Sequence, residues 1–330
     1  MQTLNIEDVI QAHRRLKPYV HRTPILTSSL LNQWLGHDIY FKAECLQKIG
    51  AFKIRGATNF IIKRIEAGDK PKRIVANSSG NHAQAVALAA SLFDIPATIY
   101  TTETVSAVKA AATEYYGAKV LKFPTRLEAD AQVMQAKEEI GTVWIPPFNH
   151  LDVMAGQATA SYEALDELGE VDAVFAPCGG GGLASGTLIS TRALSPQACA
   201  AACEPIEAND AARSLRSGKI ESLSSPPNTI ADGVATPAVG DLTFPLLQQL
   251  DAFYEVEEQE ILYWTQWLQH LLKLHIEPTS AMCMGGVTEW LRTQSGKKKR
   301  VLVVLSGGNI SESTSRKIWQ DDHLRTVPSL

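Results

Sequence analysis

Very little in this chain points to a polyanion, a membrane or a disulfide scaffold. With 31 basic and 35 acidic side chains over 330 residues, the formal net charge is -4, which leaves no electrostatic footprint for nucleic acid. The one basic run, Lys297 to Arg300, abuts an apolar strand pattern and reads as a solvated loop. No apolar run approaches the roughly 20 residues a membrane span needs, and Met1 to Asp8 lack the basic and apolar stretches of a secretion signal. A cytoplasmic protein is therefore expected. Cysteine is sparse: Cys45, Cys178, Cys199, Cys203 and Cys283 form an odd, scattered set without a Cys-x-x-Cys pair. That excludes a zinc knuckle or a disulfide framework and leaves reduced packing residues. Internal repeats, low-complexity tracts and long linkers are missing too, as are the Gly-Lys-Ser/Thr of a nucleotide P-loop and the Gly-x-Gly-x-x-Gly of a dinucleotide site.

What is present is a chain 45% hydrophobic and 20% charged, able to bury a substantial core and long enough for about two domains. From residue 73, short β-branched runs alternate with longer helical patterns. Strands are predicted at 73–76, 97–100, 119–123 and 142–145, with an Ala-rich helix through Ala90, a helix ending at Tyr116 with Gly117 as its cap, and another within 127–140. A second set comprises helix 155–168, strand 172–177, helix 183–194, strand 198–203 and a closing strand at 301–305. Such alternation predicts an α/β fold of two open, twisted, mostly parallel sheets flanked by helices and joined by right-handed crossovers. In these sheets ligands bind beyond the carboxyl ends of the strands.

The residues able to do chemistry gather at those strand ends. Gly179, Gly180, Gly181 and Gly182 stand between a strand and a helix. Lacking Cβ atoms, they let several backbone N–H groups converge on an anion at a helix N-terminus, although a tightly packed turn would look the same. Lys53, beside Phe52 at the start of a helical pattern, is an amine in a partly apolar setting. There it can lose its proton and attack a carbonyl, the plain alternative being a snorkelling surface lysine. A lysine and a phosphate cradle together point to a phosphorylated aldehyde cofactor. Ser78, Ser79, Gly80, Asn81 and His82 follow one strand and open a helix, a turn suited to a substrate carboxylate or, at Asn81, a ring hydroxyl, unless the serines only cap the helix. Ser306, ahead of Gly307-Gly308-Asn309, offers a neutral hydroxyl for a ring nitrogen. Glu204, Asp210 and the carbonyl of Ala208, directly after a strand, could ligate a hard cation such as Mg²⁺ or Ca²⁺; acidic helix caps are the alternative.

Taken in order, these segments resemble the serine/threonine dehydratase and serine racemase family, pyridoxal-phosphate enzymes of fold type II with a tryptophan-synthase-β-like architecture. The resemblance covers nearly the whole chain. It rests on Lys42-Ala43-Glu44 through Ala57, Ser78 to Gln84, Ala155-Gly156-Gln157, the tetraglycine, Glu204-Pro205, Ile230 to Gly233, Glu277-Pro278 and Ser306 to Asn309. It implies that Lys53 is the Schiff-base lysine, with Phe52 beside it, that Gly179 to Gly182 hold the cofactor phosphate, that Asn81 meets the ring hydroxyl and that Ser306 meets the pyridine nitrogen. Ser78 to His82 would dock the substrate carboxylate. Ser79 matches the serine that acts opposite the lysine in the racemase branch, and Glu204, Ala208 and Asp210 match the divalent-cation site. Residues 73–149 would form a small domain inserted into a large one made of 1–72 and 150–330, and a homodimer or homotetramer is the expected assembly.

The implied reaction is dehydration of a β-hydroxy amino acid such as L-threonine or L-serine to a 2-oxo acid and ammonia. The dehydratase-like Pro146-Pro147-Phe148-Asn149-His150 favours it. The alternatives are a serine racemase with side dehydratase activity, a 3-hydroxyaspartate dehydratase, a β-replacement enzyme and a non-catalytic cofactor- or amino-acid-binding protein. Three departures from the family pattern stand out: Ala51 in place of serine, a segment 100–109 without the usual prolines, and Asn149 where aspartate is common. With Leu330 close behind the last motif, a carboxy-terminal regulatory domain and feedback inhibition by isoleucine are not expected.

Overall fold

The computed structural model describes residues 3–330. Its strands are β1 (Ile25–Leu26), β2 (Asp38–Ala43), β3 (Arg73–Asn77), β4 (Ala97–Thr102), β5 (Lys119–Phe123), β6 (Thr142–Trp144), β7 (Ala173–Pro177), β8 (Cys199–Pro205), β9 (Ala252–Val256) and β10 (Arg300–Leu305). They build two sheets, one of six strands in the order β1-β2-β10-β7-β8-β9 and one of four in the order β5-β4-β3-β6. Every pairing is parallel except that of β1 with β2. The architecture is the expected α/β arrangement of two mostly parallel sheets flanked by helices.

The central strands β7 (Ala-Val-Phe-Ala-Pro) and β10 (Arg-Val-Leu-Val-Val-Leu) are apolar almost throughout and buried on both faces, as parallel strands between helical layers must be. Most predicted elements fall within a few residues of their observed ends. One boundary differs in a way that matters. β8 runs to Pro205, and Glu204 pairs in register with Glu255 of β9, so Glu204 lies inside the strand rather than in the turn after it. The sequence pattern does not predict β1, β2 or β9; β1 and β9 are edge strands with half-exposed residues, and their period-2 signal is weak.

Between the sheets lies the helix Lys53–Glu66, packed against the helices Asn81–Ser91 and Leu151–Leu168. Its contact with the latter is backbone to backbone: a Cβ on Gly156 would stand 2.5 Å from the Arg55 carbonyl oxygen and 2.8 Å from Gly56 Cα. The helix is also tied down by charge. Arg55, fully buried, donates to Glu44 (2.7 and 2.9 Å) and to Glu163 (2.8 Å to each oxygen), and Lys42 Nζ meets Glu163 at 2.8 Å. Those bonds fix the first turn of the helix, and Lys53 is its first residue.

Candidate active site

Lys53 Nζ donates to the carbonyl oxygen of Pro147 at 2.7 Å and lies 5.1 Å from the Phe52 ring centre. Burial lowers its pKa to about 8, the negative Glu277 opposing the shift. Behind it the backbone is pinned to the end of β10, with Phe52 N–H on the Ser306 carbonyl at 2.9 Å and Ala51 bridged to Gly307. Ala51, the first departure from the family pattern, is completely buried at this seam.

The tetraglycine loop joins β7 to the helix Gly182–Leu194. Its carbonyls are engaged: Gly180 O accepts from Thr243 Oγ1 (2.7 Å) and Gly240 N–H (3.3 Å). Among the described residues, no hydrogen bond is donated by the N–H groups of Gly179, Gly180, Gly181 or Gly182. Side chains have no room there, because a Cβ at Gly180 would strike the Phe148 ring and one at Gly182 would strike Gln157 Oε1. Gly181 has φ +91°, a left-handed conformation that favours glycine. Four free donors in a side-chain-free cradle, at a helix N-terminus, suit a phosphate group.

Ser306 is buried at the end of β10, its hydroxyl 3.1 Å from that of Ser280. Ser280 also accepts from Gly307 N–H and donates to Gly307 O, each at 2.8 Å. Asn81, the first residue of its helix, reaches across to the large sheet. Its Nδ2 donates to both oxygens of Glu277 (3.2 and 3.1 Å), and its Oδ1 accepts from Asn309 Nδ2 (2.8 Å). Glu277 is buried, which pushes its pKa up to about 7, with Asp232 adding to the rise.

The serines of the preceding turn do not cap the helix Asn81–Ser91, whose N-terminus carries no side-chain cap. Ser78 Oγ accepts from Gly80 N–H at 3.2 Å, while Ser79 is exposed. His82 behaves differently from its neighbours. Its ring is buried on the Ile145 carbonyl (2.9 Å) and held neutral, burial and the nearby Lys53 lowering its pKa to about 3. Only its backbone is free to meet a ligand, and the imidazole is no general base.

Away from this cluster, Glu204 and Asp210 are both buried. Burial raises Glu204 to about 9, even though it accepts from Ala212 N–H (2.7 Å) and Ala211 N–H (3.3 Å), and raises Asp210 to about 7. Neither Asp210 oxygen has a hydrogen-bond partner. Ala208 is buried in the short turn between them. Among the described residues no group of three or more His, Cys, Asp or Glu side chains gathers; this set has two carboxylates and a carbonyl. Asn149, the third departure from the family pattern, holds the 240–242 segment next to the glycine loop, donating to Asp241 (2.6 Å) and accepting from Leu242 N–H (3.0 Å).

Sequence reasoning misses Ser280, Thr243, the Pro147 carbonyl and the part played by Glu277 and Asn309. Glu277-Pro278 is visible only as a motif, and nothing local reveals that it meets Asn81, 196 positions away.

A family model described as pyridoxal-phosphate dependent enzyme matches residues 16–307. The chain belongs to that family. Among its relatives is an L-threo-3-hydroxyaspartate ammonia-lyase of Saccharomyces cerevisiae, 43% identical over 92% of this chain and 92% of that protein. A serine racemase of Dictyostelium discoideum is 39% identical over 96% of this chain and 98% of that protein. The crystal structure of a T.th. threonine deaminase superposes with a TM-score of 0.87 at 39% identity, covering 93% of this chain and 99% of the other. The family's cofactor is pyridoxal phosphate, and the residues present fit it: an amine of lowered pKa, a cradle of unpaired N–H groups and buried hydroxyls lie together at the strand ends. No helix among the described residues is long and apolar enough to cross a membrane.

Proposed function

We propose that this pyridoxal-phosphate enzyme is an ammonia-lyase that removes water from a β-hydroxy amino acid and releases a 2-oxo acid and ammonia. The observation that carries the proposal is the half-buried Lys53 amine, facing the Pro147 carbonyl between a loop of free N–H groups and the Ser306–Ser280 hydroxyls. Lys53 would hold the cofactor, Gly179 to Gly182 its phosphate, Asn81 its ring hydroxyl and Ser306 its ring nitrogen. Bound pyridoxal phosphate supplies an aldehyde for amines and withdraws electrons from the substrate's α-carbon. The chain supplies the rest. The turn Ser78 to His82 receives the substrate carboxylate on its N–H groups and on the Ser78 and Ser79 hydroxyls. Lys53 Nζ, partly neutral near pH 7 because burial depresses its pKa to about 8, takes the α-proton. The β-hydroxyl then departs as water, carrying off the proton that Lys53 took, and a second water hydrolyses the released enamine to the 2-oxo acid and ammonia.

L-serine, L-threonine and L-threo-3-hydroxyaspartate are the substrates to compare, the last because relatives 43% and 38% identical bear that name. Release of 2-oxo acid and ammonia in equal amounts from any of them supports the reading; turnover of none contradicts it. Racemisation is the second reading, favoured by the exposed Ser79 and by relatives named serine racemase; chiral analysis of residual serine in the same assay separates the two.

Mg²⁺ or Ca²⁺ on Glu204, Asp210 and the Ala208 carbonyl belongs to the same proposal, supported by the unpaired Asp210 oxygens. So do movement of a small 73–149 domain against the rest, a homodimer or homotetramer and a cytoplasmic location, the last consistent with five unpaired cysteines.

A further inference from the structure

Gln157, the last residue of the Ala155-Gly156-Gln157 motif, has no part in the chemistry assigned to Lys53, yet the two side chains meet on one atom. Gln157 stands on the helix Leu151–Leu168, only 1% exposed, and its Nε2 donates to the carbonyl oxygen of Pro147 at 3.0 Å. The same oxygen accepts from Lys53 Nζ at 2.7 Å. Because a carbonyl only accepts, the orientation of the Gln157 amide is fixed. Its Oε1 is turned to Gly182, where a Cβ would stand 2.4 Å away, and has no hydrogen-bond partner. On its other side the Gln157 stem is clamped by the Lys53 helix, a Cβ on Gly56 lying 3.0 Å from its Cγ. Packing alone does not call for a glutamine here. A buried amide with an unpaired oxygen costs more than an apolar side chain of the same shape, and the bond to Pro147 is the only polar one this side chain makes among the described residues. Pro147, for its part, needs an anchor: it lies in a bend outside helix and strand, and among the described residues no backbone N–H reaches its carbonyl.

We propose that Gln157 is a positioning residue that holds the Pro147 carbonyl in place as the perch of the Lys53 amine whenever that amine is free of the cofactor. One N–H of the amine rests on Pro147 O, and that bond sets the direction of the nitrogen lone pair that takes the α-proton. Gln157 itself touches no reacting atom. While Lys53 holds the cofactor its nitrogen is engaged elsewhere, so the glutamine governs proton transfer and leaves cofactor affinity alone. The role rests on Lys53 as the base of the lyase reading, but the perch is already present in the cofactor-free chain and is testable there.

Q157M keeps the length of the side chain and removes the N–H. In the loaded enzyme, with whichever β-hydroxy amino acid the wild type turns over, kcat should fall by at least about tenfold. The isotope effect on kcat with that substrate deuterated at its α-carbon should exceed the wild type's, while KM and the affinity for pyridoxal phosphate stay within a few-fold and the visible absorption of bound cofactor is kept. In the full-length protein stripped of cofactor, an amine reagent at pH 7 should modify Lys53 severalfold faster than in the wild type, read by mass spectrometry, because the bond to Pro147 O favours the protonated amine. If Q157M melts well below the wild type, Q157E, of the same shape and unable to donate while ionised, carries the same expectations. Unchanged kcat, isotope effect and labelling rate in a variant that melts like the wild type overturn the proposal, as does activity that falls only in step with bound cofactor. A wild type that releases no 2-oxo acid refutes the lyase reading instead, and the labelling rates then decide the perch by themselves.

Discussion

At the scale of the residue, the site depends on what is withheld from water. Lys53 has a folded-state pKa of about 8 against an ordinary 10.5, so between those values the unfolded chain binds more protons and stability rises with pH. Below about 8 the full penalty of a buried ammonium is present. The Lys53 amine is therefore expected to become reactive with a midpoint near pH 8, more than two units below an exposed lysine, as pH-dependent labelling would measure. Glu277 has the opposite sign: with its carboxyl raised to about 7, its contribution favours the folded state at low pH and declines as pH rises from about 4.5 to about 7. Glycine is equally strict. Because a methyl group at Gly180 meets the Phe148 ring, Gly180→Ala should fold, with Phe148 displaced, and bind pyridoxal phosphate at least tenfold more weakly by equilibrium titration.

At the scale of the element, the helix Lys53–Glu66 is a rigid mount. Arg55 lies between Glu44 and Glu163 with no exposure to solvent, and removing one partner of a buried ion cluster strands the others. Arg55→Ala should thus cost about 3–5 kcal/mol in denaturant unfolding, whereas the exposed pair Arg316–Glu312 should cost under about 1 kcal/mol. The elements are largely legible because parallel strands buried on both faces, such as Ala173–Pro177 and Arg300–Leu305, announce themselves as apolar runs; the half-exposed edge strand Lys119–Phe123 also matches its expected span to the residue, set off by the Gly117 cap with its expected positive φ of 97°. The edge strand β9 is not legible, since four of its five residues are only half-buried and it forms no apolar run of its own. Glu204 is misplaced by one element because a strand end that carries carboxylates looks like a turn.

At the scale of the whole molecule, the site exists only where two sheets present their carboxyl ends to each other. Lys53, the glycines and Ser306 are recognisable from motifs, each following or opening an element. The Asn81–Glu277–Asn309 chain is not, because it joins residues from both sheets and no local pattern encodes that meeting. The divalent-cation proposal also belongs here: a cation that binds the folded protein alone stabilises it by mass action. Millimolar Mg²⁺ should raise the melting temperature of the wild type by several degrees and that of Asp210→Asn by much less; equal melting curves with and without Mg²⁺ or Ca²⁺ would remove the ion from the account.

The most direct test of the central claim compares wild type with Lys53→Ala, following 2-oxo acid from L-serine, L-threonine and L-threo-3-hydroxyaspartate together with the visible absorption of bound cofactor. The account predicts turnover of at least one substrate by the wild type. It also predicts a fall of roughly 10²–10⁴-fold or more in Lys53→Ala, with loss of the absorption band of covalently held cofactor. Undiminished turnover and an unchanged band in Lys53→Ala would contradict it.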